Sequence, residues 1–266
     1  MLTIERLGEI TQFRMSQVIN GVPVYWVAAY LVDGALIDTG CAHTAKEFLS
    51  ALSKHDVRQV INTHFHEDHV GANKALQNKG LPLYAHPDSI PLIAKKIELL
   101  PYQELVWGYP EPSITQPLPE EIKTTSCRFQ VIETPGHSVG HVALFEPDQR
   151  WLFSGDIFAR EKPKVLRADE NIGQAILSMK KLAALPGDKL TMLTSVGKVI
   201  DDGRTALQIC IAYLEELAMQ AKQLHEQGKE TVAIVDELFG EEHTFAHLTG
   251  GHYSSANLIN SLLKTT

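Results

Sequence analysis

The 266-residue chain is 44% hydrophobic and 21% charged, a balance that fits a folded globular protein and excludes a disordered or fibrous one. Its formal net charge of -8 argues against a nucleic-acid backbone as partner. Cys41, Cys127 and Cys210 are odd in number and far apart, which reads as free thiols in a reducing compartment.

The opening "MLTIERLGEITQF" lacks the apolar run of a signal peptide, and the apolar stretch 24–32 is too short for a bilayer. The expectation is therefore a soluble cytoplasmic protein with no membrane partner. Strands are predicted at 12–19, 23–32 and 35–40, closed by glycine-containing turns. A helix over 44–55 and a buried strand over 57–64 follow. Residues 71–80 read as a short helix with Gly80 near its C-cap, 81–86 as a strand and 87–100 as a helix. Five prolines and three aromatics make 101–121 an irregular loop by composition.

Strands resume at 127–136, 141–148 and 151–156, then a helix near 170–184 and a strand at 189–195. From about residue 203 the chain is mostly helical: 204–228, 231–240 and 254–264. No linker or internal repeat splits the sequence. The expected class is α/β, a single domain over 1–266 with a helical C-terminal extension.

Chemistry gathers where predicted strands end. "THFHEDH" places three histidines and two acids within His64–His69. In an extended backbone alternate side chains share a face, so His64, His66 and Asp68 can converge on one point while His69 serves a second. Imidazole and carboxylate donors suit zinc, iron or manganese, and mixed sets often hold two ions. Pro135-Gly136 presents His137 at another strand mouth, and Asp156 and Asp38 follow apolar runs in "FSGD" and "LIDTG". His141 reads as a packed histidine of the next strand. Neither a G-x-S-x-G elbow nor a phosphate-cradling glycine motif is present.

Asp38, "THFHEDH", "TPGHSVGH" and "FSGD", in that order, resemble the metallo-β-lactamase superfamily over about the first 160 residues. The resemblance implies a four-layer αββα sandwich with a dinuclear metal centre at one edge. It implies that His64, His66 and His137 hold one ion, Asp68 and His69 the second, and that Asp156 bridges them, with Asp38 in support. Family members often supply a last histidine after the bridging acid; here Lys198 stands roughly at that place. His252, after Gly250-Gly251, is the replacement chosen over His225, His243 and His247.

The expected function is hydrolysis of a small ester, lactone or thioester, glyoxalase II-like or lactonase-like. A hydroxide on two divalent ions, zinc before iron or manganese, would attack, with Asp68 orienting it and moving a proton. The alternatives are a metal-containing sensory or binding protein with little turnover, and a phosphodiesterase. The expected partner is a small-molecule substrate, and the apolar stripe of 206–224 offers a homodimer as the second reading beside packing on its own core.

Overall fold

The computed structural model describes residues 1–265. Seven strands run in chain order across a first sheet: β1 (Leu2–Leu7), β2 (Ile10–Met15), β3 (Val27–Val32), β4 (Ala35–Ile37), β5 (Gln59–Ile61), β6 (Leu83–Ala85) and β7 (Gln116–Pro117). β1 to β4 pair antiparallel, β4 to β7 parallel. The second sheet holds β8 (Glu121–Lys123), β9 (Arg128–Glu133), β10 (Val142–Glu146), β11 (Trp151–Phe153), β12 (Thr191–Leu193) and β13 (Val199–Ile200), also in chain order. Only β11 and β12 are parallel there.

The side-chain period of two explains the layering. All six residues of β3 are buried, yet they serve two cores. Ala28, Tyr30 and Val32 meet Phe129, Leu144 and Phe153 of the second sheet. Val27, Ala29 and Leu31 face the opposite way, toward Phe48 and Leu52. Those two residues lie on α1 (Ala45–Leu52), one turn apart. A strand apolar on both faces is what a covered sheet requires. Asp33-Gly34, at φ 42° and 79°, makes the two-residue turn from β3 to β4, where Val32 faces Ala35.

The second sheet repeats this on its outer face. Ala143, Phe145, Leu152 and Met192 pack under α5 (Ile172–Ala183), α6 (Gly203–Glu226), α7 (Thr231–Phe239) and α9 (Ser255–Leu263). Asn171, Asp202 and Ser254 cap α5, α6 and α9 by accepting the N–H of Gln174, Thr205 and Asn257. The apolar stripe of α6, with Leu207, Leu214 and Leu224, is spent on this core. The αββα sandwich and the helical C-terminal region are as expected.

Four expectations need correction. β1 was not foreseen. The helix expected over 71–80 forms as α2 (Asn73–Asn78), but the one expected over 87–100 is a single turn, α3 (Ile90–Ile93). The 101–121 segment opens with α4 (Pro101–Val106) and contributes β7. Pro101 supplies a first helical residue with fixed φ, and the Gln103 side chain accepts the Leu100 N–H at 2.8 Å, so composition alone misjudged it. Finally, α8 (Thr244–Leu248) forms where no helix was expected. Among the described residues no helix is long and apolar enough to cross a membrane.

Candidate metal centre

Every site residue foreseen up to Asp156 lies just beyond a strand. Asp38 follows β4, and His64 to His69 lie in the loop after β5. His137 comes after β9 and Asp156 after β11. The β5 ladder stops at Ile61 and the chain then coils, with His69 N–H donating to His66 O at 2.9 Å. Convergence of these side chains thus comes from a folded loop; the extended backbone pictured from sequence ends three residues before His64.

Two groups of potential ligands form. His64, His66 and His137 make the first; His64, His69 and Asp156 the second, with donor atoms in each within 4.8 Å of one another. His66 Nδ1 stands 3.0 Å from His64 Nε2 and 2.9 Å from His137 Nε2. Asp156 lies between the groups: Oδ1 is 3.3 Å from His69 Nε2 and Oδ2 is 3.6 Å from His137 Nε2. Asp68 Oδ2 is 3.7 Å from the same His69 nitrogen, beside the second group but outside its tight set.

Supporting side chains fix the rings. Asp38, at φ 60° and buried, accepts the Thr63 N–H and hydroxyl, each at 2.8 Å, and meets His69 Nδ1 at 2.8 Å. Thr63 Oγ1 in turn lies 3.0 Å from His64 Nδ1. Glu170, which no sequence signal marked, stands 3.0 Å from His137 Nδ1. A carboxylate behind a ligating imidazole orients it and raises its basicity. Glu67, also unforeseen as a support, accepts from Gln103 Nε2 at 2.6 Å and so fastens α4 to the histidine loop.

Charges are unevenly set. Burial holds His64 and His66 well below the usual imidazole value, in the neutral form a cation requires. Burial opposes charge on His69, but Asp38, Asp156 and Asp68 outweigh it and hold that ring well above the usual value. Burial, aided by Asp156 and Glu67, pushes the Asp68 carboxyl up to about 7 against the pull of His69. Asp156 is held well below the carboxylate range by His69 and His137 despite its burial.

The donor set fits divalent ions. His69 Nε2 and Asp156 Oδ1 are buried with no hydrogen-bond partner among the described residues, a costly state unless a cation meets such atoms.

His252 joins neither group. Its Nδ1 lies 2.7 Å from Tyr102 Oη, and its Nε2 faces Asp169 at 4.0 Å. The reason is the bridge just after it: Tyr253–Ser254 pairs with Leu166–Arg167, drawing the segment against the 166–169 stretch and α4. Nor do His225, His243 or His247 take the place. His225 is exposed on α6, His243 caps α8 by accepting the Phe245 N–H, and His247 is exposed. Lys198 is exposed as well, its ammonium donating to Ala159 O at 3.4 Å. His141 is packed as expected: Nδ1 meets Thr134 Oγ1 at 2.8 Å, and Nε2 accepts the Asp156 N–H at 3.0 Å. A Cβ at Gly155 would stand 2.5 Å from that Nε2, so this ring and a glycine at φ 52° together set the turn that aims Asp156.

A sequence profile of the Metallo-beta-lactamase superfamily matches residues 26–192, more than half of the chain. The chain is 29% identical over 203 residues to a probable metallo-hydrolase of Bacillus subtilis, covering 74% of this chain and 83% of that one. It is 27% identical over 154 residues to a hydroxyacylglutathione hydrolase of Ectopseudomonas mendocina, covering 58% of this chain and 52% of that relative. The chain thus spans about half the length of the latter. A beta-lactamase domain protein from Burkholderia ambifaria shares the fold at a TM-score of 0.70 and 19% identity, over 98% of this chain and 84% of that one. The chain belongs to the metallo-beta-lactamase superfamily, as one of its hydrolases.

Proposed function

We propose that the chain is a cytoplasmic hydrolase of a small ester, thioester or lactone, working through two divalent ions, zinc in the first place. The observation that carries this is the convergence of His64 Nε2, His66 Nδ1 and His137 Nε2, beside the buried, unpartnered His69 Nε2 and Asp156 Oδ1, in two overlapping ligand groups. His137 and Asp156 also help to wall a cavity. His64, His66 and His137 would hold the first ion. His69, Asp156 and Asp68 would hold the second, more weakly, because His252 does not contribute. Ions bound there supply Lewis acidity and a water acidic enough to lose its proton near neutral pH.

The protein's own groups do the rest. Asp68, its carboxyl beside His69 Nε2, positions the attacking water and passes a proton to the leaving group. Asp38 and Glu170 keep the His69 and His137 rings turned inward. The hydroxyacylglutathione hydrolase relative favours a thioester, and three buried free thiols favour the cytoplasm.

The test is metal analysis combined with a panel of esters, thioesters (a hydroxyacylglutathione among them), lactones and phosphodiesters. Turnover of an acyl substrate that disappears on chelation and in Asp68→Ala supports the proposal. Full metal with no turnover on any of them points to a binding protein, and turnover of phosphodiesters alone to a phosphodiesterase.

A further inference from the structure

A cavity of about 510 Å³ opens over the metal centre, with His137 and Asp156 among its walls. At roughly 30 Å³ for each water-sized group it is far larger than a two- or three-carbon acyl group needs, and it falls within the usual range of ligand pockets. Trp107, Ile157, Phe158 and Leu166 give it apolar sides, and Phe245 and Leu248 of α8 complete it. Leu248 is also 68% exposed, so it stands at the cavity's edge. α8 lies outside residues 26–192, so this wall belongs to the chain's own C-terminal segment.

The rim is different. Arg160 and Lys164 border the cavity, both exposed, and neither is ion-paired among the described residues. Arg160 follows Asp156 by four residues and lies close enough to Tyr25 for its charge to act on that hydroxyl, which also feels Asp156. Of the acids on the same cavity, Glu170 is engaged by His137 and Asp156 belongs to a ligand group, which leaves Arg160 and Lys164 as the charges available to an anion.

Resting on the hydrolase reading above, we propose that the substrate is an acyl thioester or ester with two distinct ends. Its acyl part is an apolar chain or ring of medium size, running away from the metal centre toward α8. Its leaving part carries an anionic group, held near the scissile bond by Arg160 and Lys164. Hydrolysis breaks the bond from acyl carbon to sulfur or oxygen and joins that carbon to the oxygen of one water. One proton of that water goes to the leaving thiol or alcohol, and the acid departs as the carboxylate with the second proton released. The apolar walls select a hydrocarbon because they offer it dry contact and offer a polar chain no replacement for lost water.

The experiment uses zinc-loaded protein and straight-chain acyl thioesters from acetyl to decanoyl, each made with mercaptoacetate and with a neutral thiol of similar size. The expected kcat/KM rises about fourfold for each added methylene until the cavity is full. Mercaptoacetate esters outpace neutral ones, and the double variant Arg160→Gln, Lys164→Gln loses that preference while keeping the length dependence. Phe245→Ala with Leu248→Ala flattens the length dependence. A flat or falling profile among thioesters that are turned over overturns the acyl assignment, and equal rates on charged and neutral leaving groups overturn the anion assignment. If neither these thioesters nor the corresponding oxygen esters and lactones are cleaved, the hydrolase reading fails separately. The cavity is then tested by quenching of Trp107 fluorescence with free fatty carboxylates, using Trp107→Phe as control. Quenching that strengthens with chain length supports the apolar cavity, and its absence overturns it.

Discussion

Asp38 meets His69 Nδ1 at 2.8 Å, and this contact turns the ring's other nitrogen toward Asp156 at 3.3 Å. One carboxylate thereby sets the direction of a candidate ligand while also accepting two hydrogen bonds from Thr63. Asp38→Ala is expected to lower metal affinity at the second group about 10–100-fold, the usual cost of losing such an outer partner. A chelator-competition titration reads this; unchanged affinity would show that His69 is no ligand.

His252→Ala should leave metal stoichiometry unchanged, because the ring is engaged by Tyr102 and stands outside both ligand groups. Elemental analysis of the purified variant decides it. Loss of one equivalent would restore His252 as a ligand and require the 249–254 segment to move. A small fall in Tm is expected in either case, since the hydrogen bond to α4 is lost.

Acid stability has a separate source. Burial works against ionised Asp33, but hydrogen bonds from Thr124, Ser126 and Arg58 prevail and hold its carboxyl at about 2. A group lowered in the folded state contributes stability above its unfolded value, about 3.9, and loses it as pH falls toward 2. The β3–β4 turn is tied in this way to the segment between β8 and β9. Asp33→Asn keeps the turn but should flatten the decline in stability between about pH 4 and pH 2, followed by denaturant titration at each pH. An unaltered slope there would remove Asp33 as the cause.

In the C-terminal layer, Leu214 of α6 is fully buried in the core above the second sheet. Leu214→Ala is expected to destabilise the protein by about 2–5 kcal/mol, through lost transfer energy and the cavity left behind. Chemical unfolding measures it. A cost below about 1 kcal/mol would mean that the α6 stripe is not an internal contact, and sedimentation should then be examined for a dimer.

The candidate residues most visible in the sequence are those whose chemistry conflicts with their setting. Acids and imidazoles right after apolar runs, as at Asp38, His64 and Asp156, have no reason to be there unless something holds their charge. β3 was equally legible, because an apolar run bounded by turn residues has few other fates. Glu170 and Glu67 were not, since their roles depend on which ring or amide the fold brings near, and a lone acid carries no such mark. His252 was misjudged because paired glycines show where a backbone bends and not which way it goes; the bridge to Leu166–Arg167 decides that. α4 escaped because its prolines and aromatics resemble those of a loop, although Pro101 and Gln103 carried a helix-start signal.

The two ligand groups draw on both halves of the sandwich. Asp38 and His64 to His69 are anchored on the first sheet, while His137 and Asp156 are anchored on the second. Neither half alone owns a full set of donors, so an ion can be gripped only after the halves have docked. Metal capture is therefore a late reporter of assembly: a chain severed between β7 and β8 should bind tightly only when its fragments are mixed, with the ion acting as a clasp between them.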